Sequence, residues 1–320
     1  MEMDPLGLEG LNPDSSAIVT VGTFDGVHLG HREIVRSVVG ISAETGGTST
    51  VVTFDPHPRE VTTGNLVPLL STVEERLALL RALGVARTVV IPFTRAFATM
   101  SPTEFVADVI AGRVGCRVMV TGYDHAFGQG RSGDNTVLRE AGERLGFSVE
   151  TVPPFLLDDA PVSSTAIRDH LMADGNVREA TRLLGRRYSV GGSVVRGDGR
   201  GRSIGYPTAN LEVSSTRKVI PARGVYAVVV GVRGSAPLVG MMNIGVRPTF
   251  GGTKVHLEVH ILDFDESIYG ESLHIEFVDR LRDETRFGSV EDLVRQLNED
   301  ERRCRDAVGA VSLRPYLDGL

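Results

Sequence analysis

The sequence predicts two domains of different class, an α/β unit on a doubly wound parallel sheet followed by an antiparallel β unit with a terminal helix. Three observations carry this. From Ala17 to about Gly185, short apolar, β-branched runs alternate with stretches of helical periodicity, the pattern of βαβ units. After Gly185 the pattern changes to glycine-punctuated strands, as in a barrel or sandwich. The chain is also long for one core at 320 residues, so two domains are expected: a tail at 1–16, an α/β domain at 17–185 and a β domain at 186–320.

The elements follow in order. Strands are expected at Ala17–Val21, Thr50–Phe54, Thr88–Ile91, Arg117–Thr121 and Phe147–Val152, rich in Val, Ile and Thr and mostly without polar alternation, as for strands buried on both faces. Ser71 and Thr72 precede a helix over Val73–Leu83, which Gly84 stops. Ser101-Pro102-Thr103-Glu104 combines a capping serine, a first-turn proline and a glutamate three residues after the cap, so a helix starts there and runs to about Ala111. In the second half, strands are expected at Ser189–Val195, Gly224–Val230, Lys254–Ile261 and Ser272–Val278. Along Lys254–Ile261, Val255, Leu257, Val259 and Ile261 alternate with polar residues, which puts the first set in the core and Glu258 on the other face. A helix over Val290–Arg303 carries an apolar stripe of Val290, Leu293, Val294 and Leu297.

Composition narrows the function classes. Apolar residues make up 41% and charged residues 23%, ordinary for a folded globular chain. The start lacks a basic segment and an apolar signal core, and no apolar run approaches the roughly 20 residues that span a bilayer, so a cytoplasmic protein without a membrane partner is expected. A net charge of −7 argues against a nonspecific nucleic-acid surface and for small-molecule ligands. Cys116 and Cys304 fall in opposite halves without CxxC partners and are expected as free thiols. Self-association is not specified.

The first chemical motif, Thr23-Phe24-Asp25-Gly26-Val27-His28-Leu29-Gly30-His31, follows the first buried strand and opens the first helix. Amides at such a turn carry partial positive charge, and His28 and His31, three apart, reach one side of it to donate to a phosphate. A capped turn with two incidental histidines is the plain alternative. Ser163-Ser164-Thr165 supplies cap hydroxyls and free amides before another helix, and Arg168 offers a planar fork for phosphate oxygens, although the serines alone would be an ordinary cap. His57 lies between Pro56 and Pro58 after the second strand, opening onto the same sheet edge or standing as a stiff turn.

These residues resemble the HxGH nucleotidyltransferases, and TFDGVHLGH, VTFDPHP, GYDHAFGQGRSGD and VSSTAIR are similar, in order and spacing, to prokaryotic bifunctional FAD synthetases. The resemblance implies a Rossmann-like fold in which His28 and His31 act on the ATP phosphates beside Gly22, Phe24, Asp25 and Gly26. Asp124 would lie near the nucleotide, Ser164, Thr165 and Arg168 would grip the triphosphate, and Pro56, His57, Pro58 and His125 would face the flavin. His125 departs from the family's GxDFxFG, which carries an aromatic residue there.

The second motif set begins with Arg196-Gly197-Asp198-Gly199-Arg200-Gly201-Arg202, a basic glycine-rich loop that lacks P-loop order and on its own reads equally as a mobile surface loop. In Gly205-Tyr206-Pro207-Thr208-Ala209-Asn210, the Thr208 hydroxyl and Asn210 amide oxygen fall two apart and suit a hard cation such as Mg²⁺. Glu258 is a general-base candidate or a solvated glutamate, and His256 and His260 read as solvated residues flanking it.

GYPTANL, IPARGVYAV, NIGVRPTF, LEVHILDFD and YGESLHIEF resemble riboflavin kinases in order. The resemblance implies a six-stranded barrel in which Gly197, Gly201, Thr208 and Asn210 organise Mg-ATP and Glu258 takes the proton of the ribityl 5′-hydroxyl. It implies a bifunctional enzyme with ATP, riboflavin, FMN and FAD as substrates or products. A paralogue with one altered module and a flavin-binding regulatory protein are the other readings; intact His28, His31, Thr208, Asn210 and Glu258 argue against the latter.

Overall fold

The computed structural model describes residues 10–197, 200–232, 235–249 and 252–311. Met1–Glu9 of the expected tail, Asp198 and Gly199 of the glycine-rich loop and Phe250 of NIGVRPTF lie outside the described residues. The chain divides into two compact units, Met1–Ser164 and Thr165–Leu320.

Unit one runs β1 (Ile18–Val21), α1 (Leu29–Thr45), β2 (Ser49–Asp55), α2 (Pro58–Thr63), α3 (Val73–Ala82) and β3 (Arg87–Pro92). It continues with α4 (Arg95–Ala98), α5 (Pro102–Glu104), a π-helix (Phe105–Val114), β4 (Val118–Gly122), α6 (Asn135–Leu145), β5 (Ser148–Val152) and the hairpin β6 (Leu156–Leu157) and β7 (Ala160–Pro161). The sheet order is β3-β2-β1-β4-β5, with every pairing parallel. Strand order therefore reverses between β1 and β4, and a crevice opens beyond their carboxyl ends. One face of the sheet is packed by Val19, Val21, Val52, Val89 and Met119 against the π-helix, and the other by Ile18, Val118 and Val120 against Val38 of α1.

Two helix starts form as their residues dictate. Thr72 and Glu75 close a capping box on α3, and Ser101 and Glu104 close another on α5. The second helix departs from the expected α-helix to about Ala111, since from Phe105 it winds as a π-helix to Val114.

Within unit two, α7 (Ser164–Ala173), whose first residue ends unit one, and α8 (Val177–Leu184) precede the barrel. Its strands are β8 (Ser189–Val195), β9 (Ala209–Val213), β10 (Gly224–Val232), β11 (Leu238–Thr249), β12 (Gly252–Ile261) and β13 (Ser272–Arg282), closed in the order β10-β11-β12-β9-β8-β13. Tyr226, Val228, Met242, Val259 and Phe277 fill one face of the wall, and Val225, Ala227, Val229 and Met241 of the other face pack on α9 (Val290–Gly309).

Two details differ from the sequence pattern. Val255 is 44% exposed, so only Leu257, Val259 and Ile261 of the alternating set are core. Helix α9 runs past Arg303 and is anchored by its later residues Asp300, Cys304 and Val308, whereas Val290 is 56% exposed. Asp300 is buried because Arg282 of β13 clamps it with Nε at 2.9 and 3.0 Å, with Gln296 adding a further donor. Both cysteines are free, as expected.

Candidate active sites

The TFDGVHLGH turn leaves the carboxyl end of β1, at the point where strand order reverses. Phe24 and Val27 have φ of +48° and +41°, a left-handed conformation that costs about 1–3 kcal/mol per non-glycine residue and persists only when the surroundings fix it. The fixing groups come from afar. The buried Asp25 carboxylate accepts from the amides of Leu70 and Ser71 at 3.1 and 3.0 Å, and the Gly26 amide donates to Ser71 Oγ at 2.9 Å. Arg76, buried beneath the turn, donates to the carbonyls of Thr23 and Phe54 at 2.6 and 3.0 Å. At Gly22 a Cβ would stand 3.1 Å from the Phe24 ring, so a side chain there would need the ring to give by a few tenths of an ångström.

This turn stacks the two histidines. His28 caps α1 and its Nδ1 accepts from the His31 amide at 3.4 Å, while the two rings lie 3.6 Å apart and 20° from parallel. Burial first, and then the Arg76 charge, push His31 down to about 3, so its imidazole is neutral at neutral pH. His31 Nδ1 is buried without a hydrogen-bond partner. Because its Nδ1 accepts a hydrogen bond, the His28 ring carries a proton on Nε2. The first turn of α1 holds no acidic residue to offset the positive end of its dipole.

A cleft of about 920 Å³ opens over these groups. Gly22, Phe24, His28, His31, Pro58, Asp124, His125 and Ser164 line it; Asp25, Gly26, Pro56 and His57 do not. Ser164 joins the turn directly, its hydroxyl donating to the Asp25 carbonyl at 2.9 Å. Thr165 and Arg168 follow in α7, one turn of which separates Ser164 from Arg168. His57 is buried and spends its Nδ1 capping α2, accepting from the Arg59 amide at 3.1 Å. The far wall is aromatic: Phe54, Phe93, Phe97, Phe105 and Phe127 form a chain of ring contacts between 5.4 and 6.2 Å. His125 ends that chain, stacked on Phe127 at 5.5 Å, and burial pushes it down to about 4.

In unit two, the polar residues converge through strand register. Asn210 of β9 pairs with Glu258 of β12, which pairs with Asn243 of β11. Directly paired residues share a face, so an amide, a carboxylate and an amide form one half-buried row across three strands, opposite the buried Leu257 and Val259. Gly197 crosses Asn210 so closely that a Cβ there would fall 2.0 Å from Asn210 Nδ2, and a Cβ on Gly201 would fall 2.1 Å from the Tyr206 carbonyl oxygen. The backbone carbonyl excludes any side chain at Gly201, and one at Gly197 would have to displace the Asn210 amide. Thr208 stands one residue before β9, beside the row.

The donor set at this row consists of hard oxygens, which suits Mg²⁺. Among the described residues no group of three or more His, Cys, Asp or Glu could hold a metal ion.

Sequence reasoning missed Ser71, Arg76 and Asn243, as well as the aromatic wall. The Phe93-to-Phe97 spacing after β3 was its one visible signal. It also read His260 as solvated, whereas its Nδ1 lies 2.7 Å from the Pro207 carbonyl oxygen.

Comparison with known proteins agrees with this division of labour. A family model for FAD synthetase matches residues 11–166, and one for riboflavin kinase matches residues 184–308. The bifunctional riboflavin kinase/FMN adenylyltransferase of Escherichia coli (strain K12) is 36% identical over 298 residues, 93% of this chain and 94% of that one. That of Pseudomonas fluorescens is 38% identical over 301 residues, 93% and 96% of the two chains. A crystal structure described as a macrolide-efflux protein from Streptococcus pneumoniae is 34% identical with a TM-score of 0.87, covering 94% of this chain and 98% of that one. No helix among the described residues of the present chain is long and apolar enough to cross a membrane. With two family models in series and relatives matched over nearly their full length, the chain belongs to the bifunctional riboflavin kinase/FMN adenylyltransferase family.

Proposed function

We infer that this chain makes FMN and FAD in two ATP-dependent steps, phosphorylating riboflavin at the barrel and adenylylating FMN at the parallel sheet with release of pyrophosphate. The observation that carries the reading is that each unit, matched to one of the two activities, holds its own convergent polar site.

In the adenylyl transfer, an FMN phosphate oxygen attacks the α-phosphorus of ATP and the bond to the β-phosphate breaks. The protein needs no nucleophile; it aligns the reactants and stabilises charge that grows on the phosphates. His28 and His31 direct ring N–H donors there, supported by the Gly30 amide in the first turn of α1 and by Ser164. Asp124 sits by the nucleotide, and Pro58, His125 and the phenylalanine wall take the flavin ring. Asp25 and His57, whose acceptors are spent on the Leu70–Ser71 loop and on α2, act by holding shape.

In the kinase step, Glu258 takes the proton of the ribityl 5′-hydroxyl as its oxygen attacks the γ-phosphorus and ADP leaves. Gly197 and Gly201 let the loop lie close over the phosphates. Thr208 and Asn210 would hold Mg²⁺, which supplies charge neutralisation on the phosphates when bound. We place the boundary between the catalytic modules near Gly185, supported by the kinase match starting at residue 184. We also place the enzyme in the cytoplasm with small-molecule partners alone.

Incubation with riboflavin, ATP and Mg²⁺, followed by chromatography, tests the reading. FMN followed by FAD is expected. Absence of both products sinks it, and FMN alone withdraws the assignment of the first unit.

A further inference from the structure

Strand β12 carries a second polar residue on the face of Glu258. His260 lies two positions on, and its Nδ1 is 2.7 Å from the Pro207 carbonyl oxygen, while its ring meets Tyr206 edge-on at 5.0 Å. A carbonyl only accepts, so Nδ1 is the protonated nitrogen and donates.

This bond stands where the backbone ladder stops. The β9–β12 pairing ends at Val259–Ala209, leaving Tyr206, Pro207 and Thr208 outside the sheet. Pro207 has no amide hydrogen, so its carbonyl is its one backbone group that can be held. Upstream, the Tyr206 amide donates to the Gly201 carbonyl at 2.9 Å and its hydroxyl donates to Asn298 Oδ1 of α9 at 2.5 Å. The segment before Thr208 is thus tied at two successive residues, Tyr206 and Pro207.

We propose that His260 is a positioning residue of the kinase half: its Nδ1–H clamps the Pro207 carbonyl and so fixes where Thr208 and Asn210 present their oxygens to the ATP phosphates. The proposal rests on the reading of the barrel as the kinase site. One strand then carries both the base and the clamp, so the proton acceptor and the phosphate-binding segment share one rigid reference.

The test compares His260→Ala with His260→Asn in the full chain, because the Asn side-chain amide can place a donor close to that of Nδ1. Two readouts are taken: amide hydrogen exchange of the 200–210 segment without ligand, and KM for ATP in FMN formation. Loss of one hydrogen bond of about 1–1.5 kcal/mol predicts roughly tenfold faster exchange and a roughly tenfold higher KM for ATP in the Ala variant. The Asn variant should recover most of both, with KM for riboflavin and adenylylation of supplied FMN unchanged. Parental exchange and KM in His260→Ala, or an Asn variant as impaired as Ala, would overturn the clamp. A parent chain that makes no FMN would instead overturn the kinase reading, with the exchange comparison still deciding whether the segment is held.

Discussion

Replacing Asp25 by alanine separates two roles that the motif alone does not distinguish, contact with the nucleotide and support of the turn. The carboxylate is 1% exposed and accepts from the Leu70 and Ser71 amides and the Ser71 hydroxyl, at 3.1, 3.0 and 3.3 Å. Asp25→Ala strands two buried backbone donors, each costing about 1–2 kcal/mol, so a loss of about 3 kcal/mol is expected. For a unit of this size that lowers the thermal midpoint by about 6–12 °C. The strained Phe24 and Val27 lose the loop that fixes them, so FAD formation falls together with stability while FMN formation persists. Differential scanning calorimetry and the two half-reactions read this directly. An Asp25→Ala protein with the parental midpoint but no FAD formation would refute the supporting role and put the carboxylate on the ligand.

Further expectations follow from the same geometry. The double variant His28→Ala, His31→Ala should lose FAD formation from FMN, at about 100-fold to 1,000-fold per donor, and keep FMN formation; parental FAD rates would make the stacked pair structural. Glu258→Gln should lower FMN production by about 100-fold or more with flavin and ATP still bound, and a parental rate would remove Glu258 as the base. Gly197→Ala drives a methyl into the Asn210 amide and should raise KM for ATP in the kinase step alone, as steady-state kinetics on both half-reactions would show. His31 at about 3 and His125 at about 4 are both held below the ordinary 6.5, so the unfolded chain protonates first. Their stabilisation is complete above about pH 6.5 and is lost as pH falls toward 4 and 3, and His125→Phe should flatten the decline in urea midpoints between pH 7 and 4.5.

The parts of the fold legible in the sequence were those set by local pattern. Unalternated β-branched runs marked β1 to β4, whereas β5, expected to be buried on both faces, lies at the sheet edge and is largely exposed. The caps at Thr72 and Ser101 marked helix starts to the residue. The histidine turn was legible because its chemistry is contiguous, nine residues from Thr23 to His31. What holds that turn was not. Ser71 and Arg76 reach it from 45 and more positions away through backbone groups, and such contacts leave no periodicity. A motif gives residue order without saying which acceptors are already engaged, as those of Asp25 are by Leu70 and Ser71 and that of His57 by Arg59. Val255 broke its alternation because a strand's pattern does not state where burial ends, and α9 is anchored at Asp300 by a long-range partner, Arg282, that no helical stripe reveals.

The central claim is that one chain carries two separate sites, one for each step, and a mixing experiment tests it most directly. Glu258→Gln and the double variant His28→Ala, His31→Ala are each incubated with riboflavin, ATP and Mg²⁺, alone and together, and FAD is quantified by chromatography. The account predicts little FAD from either variant alone, FMN accumulation in the histidine variant, and restored FAD in the mixture. FAD at the parental rate from either variant alone, or no restoration when they are mixed, would contradict it.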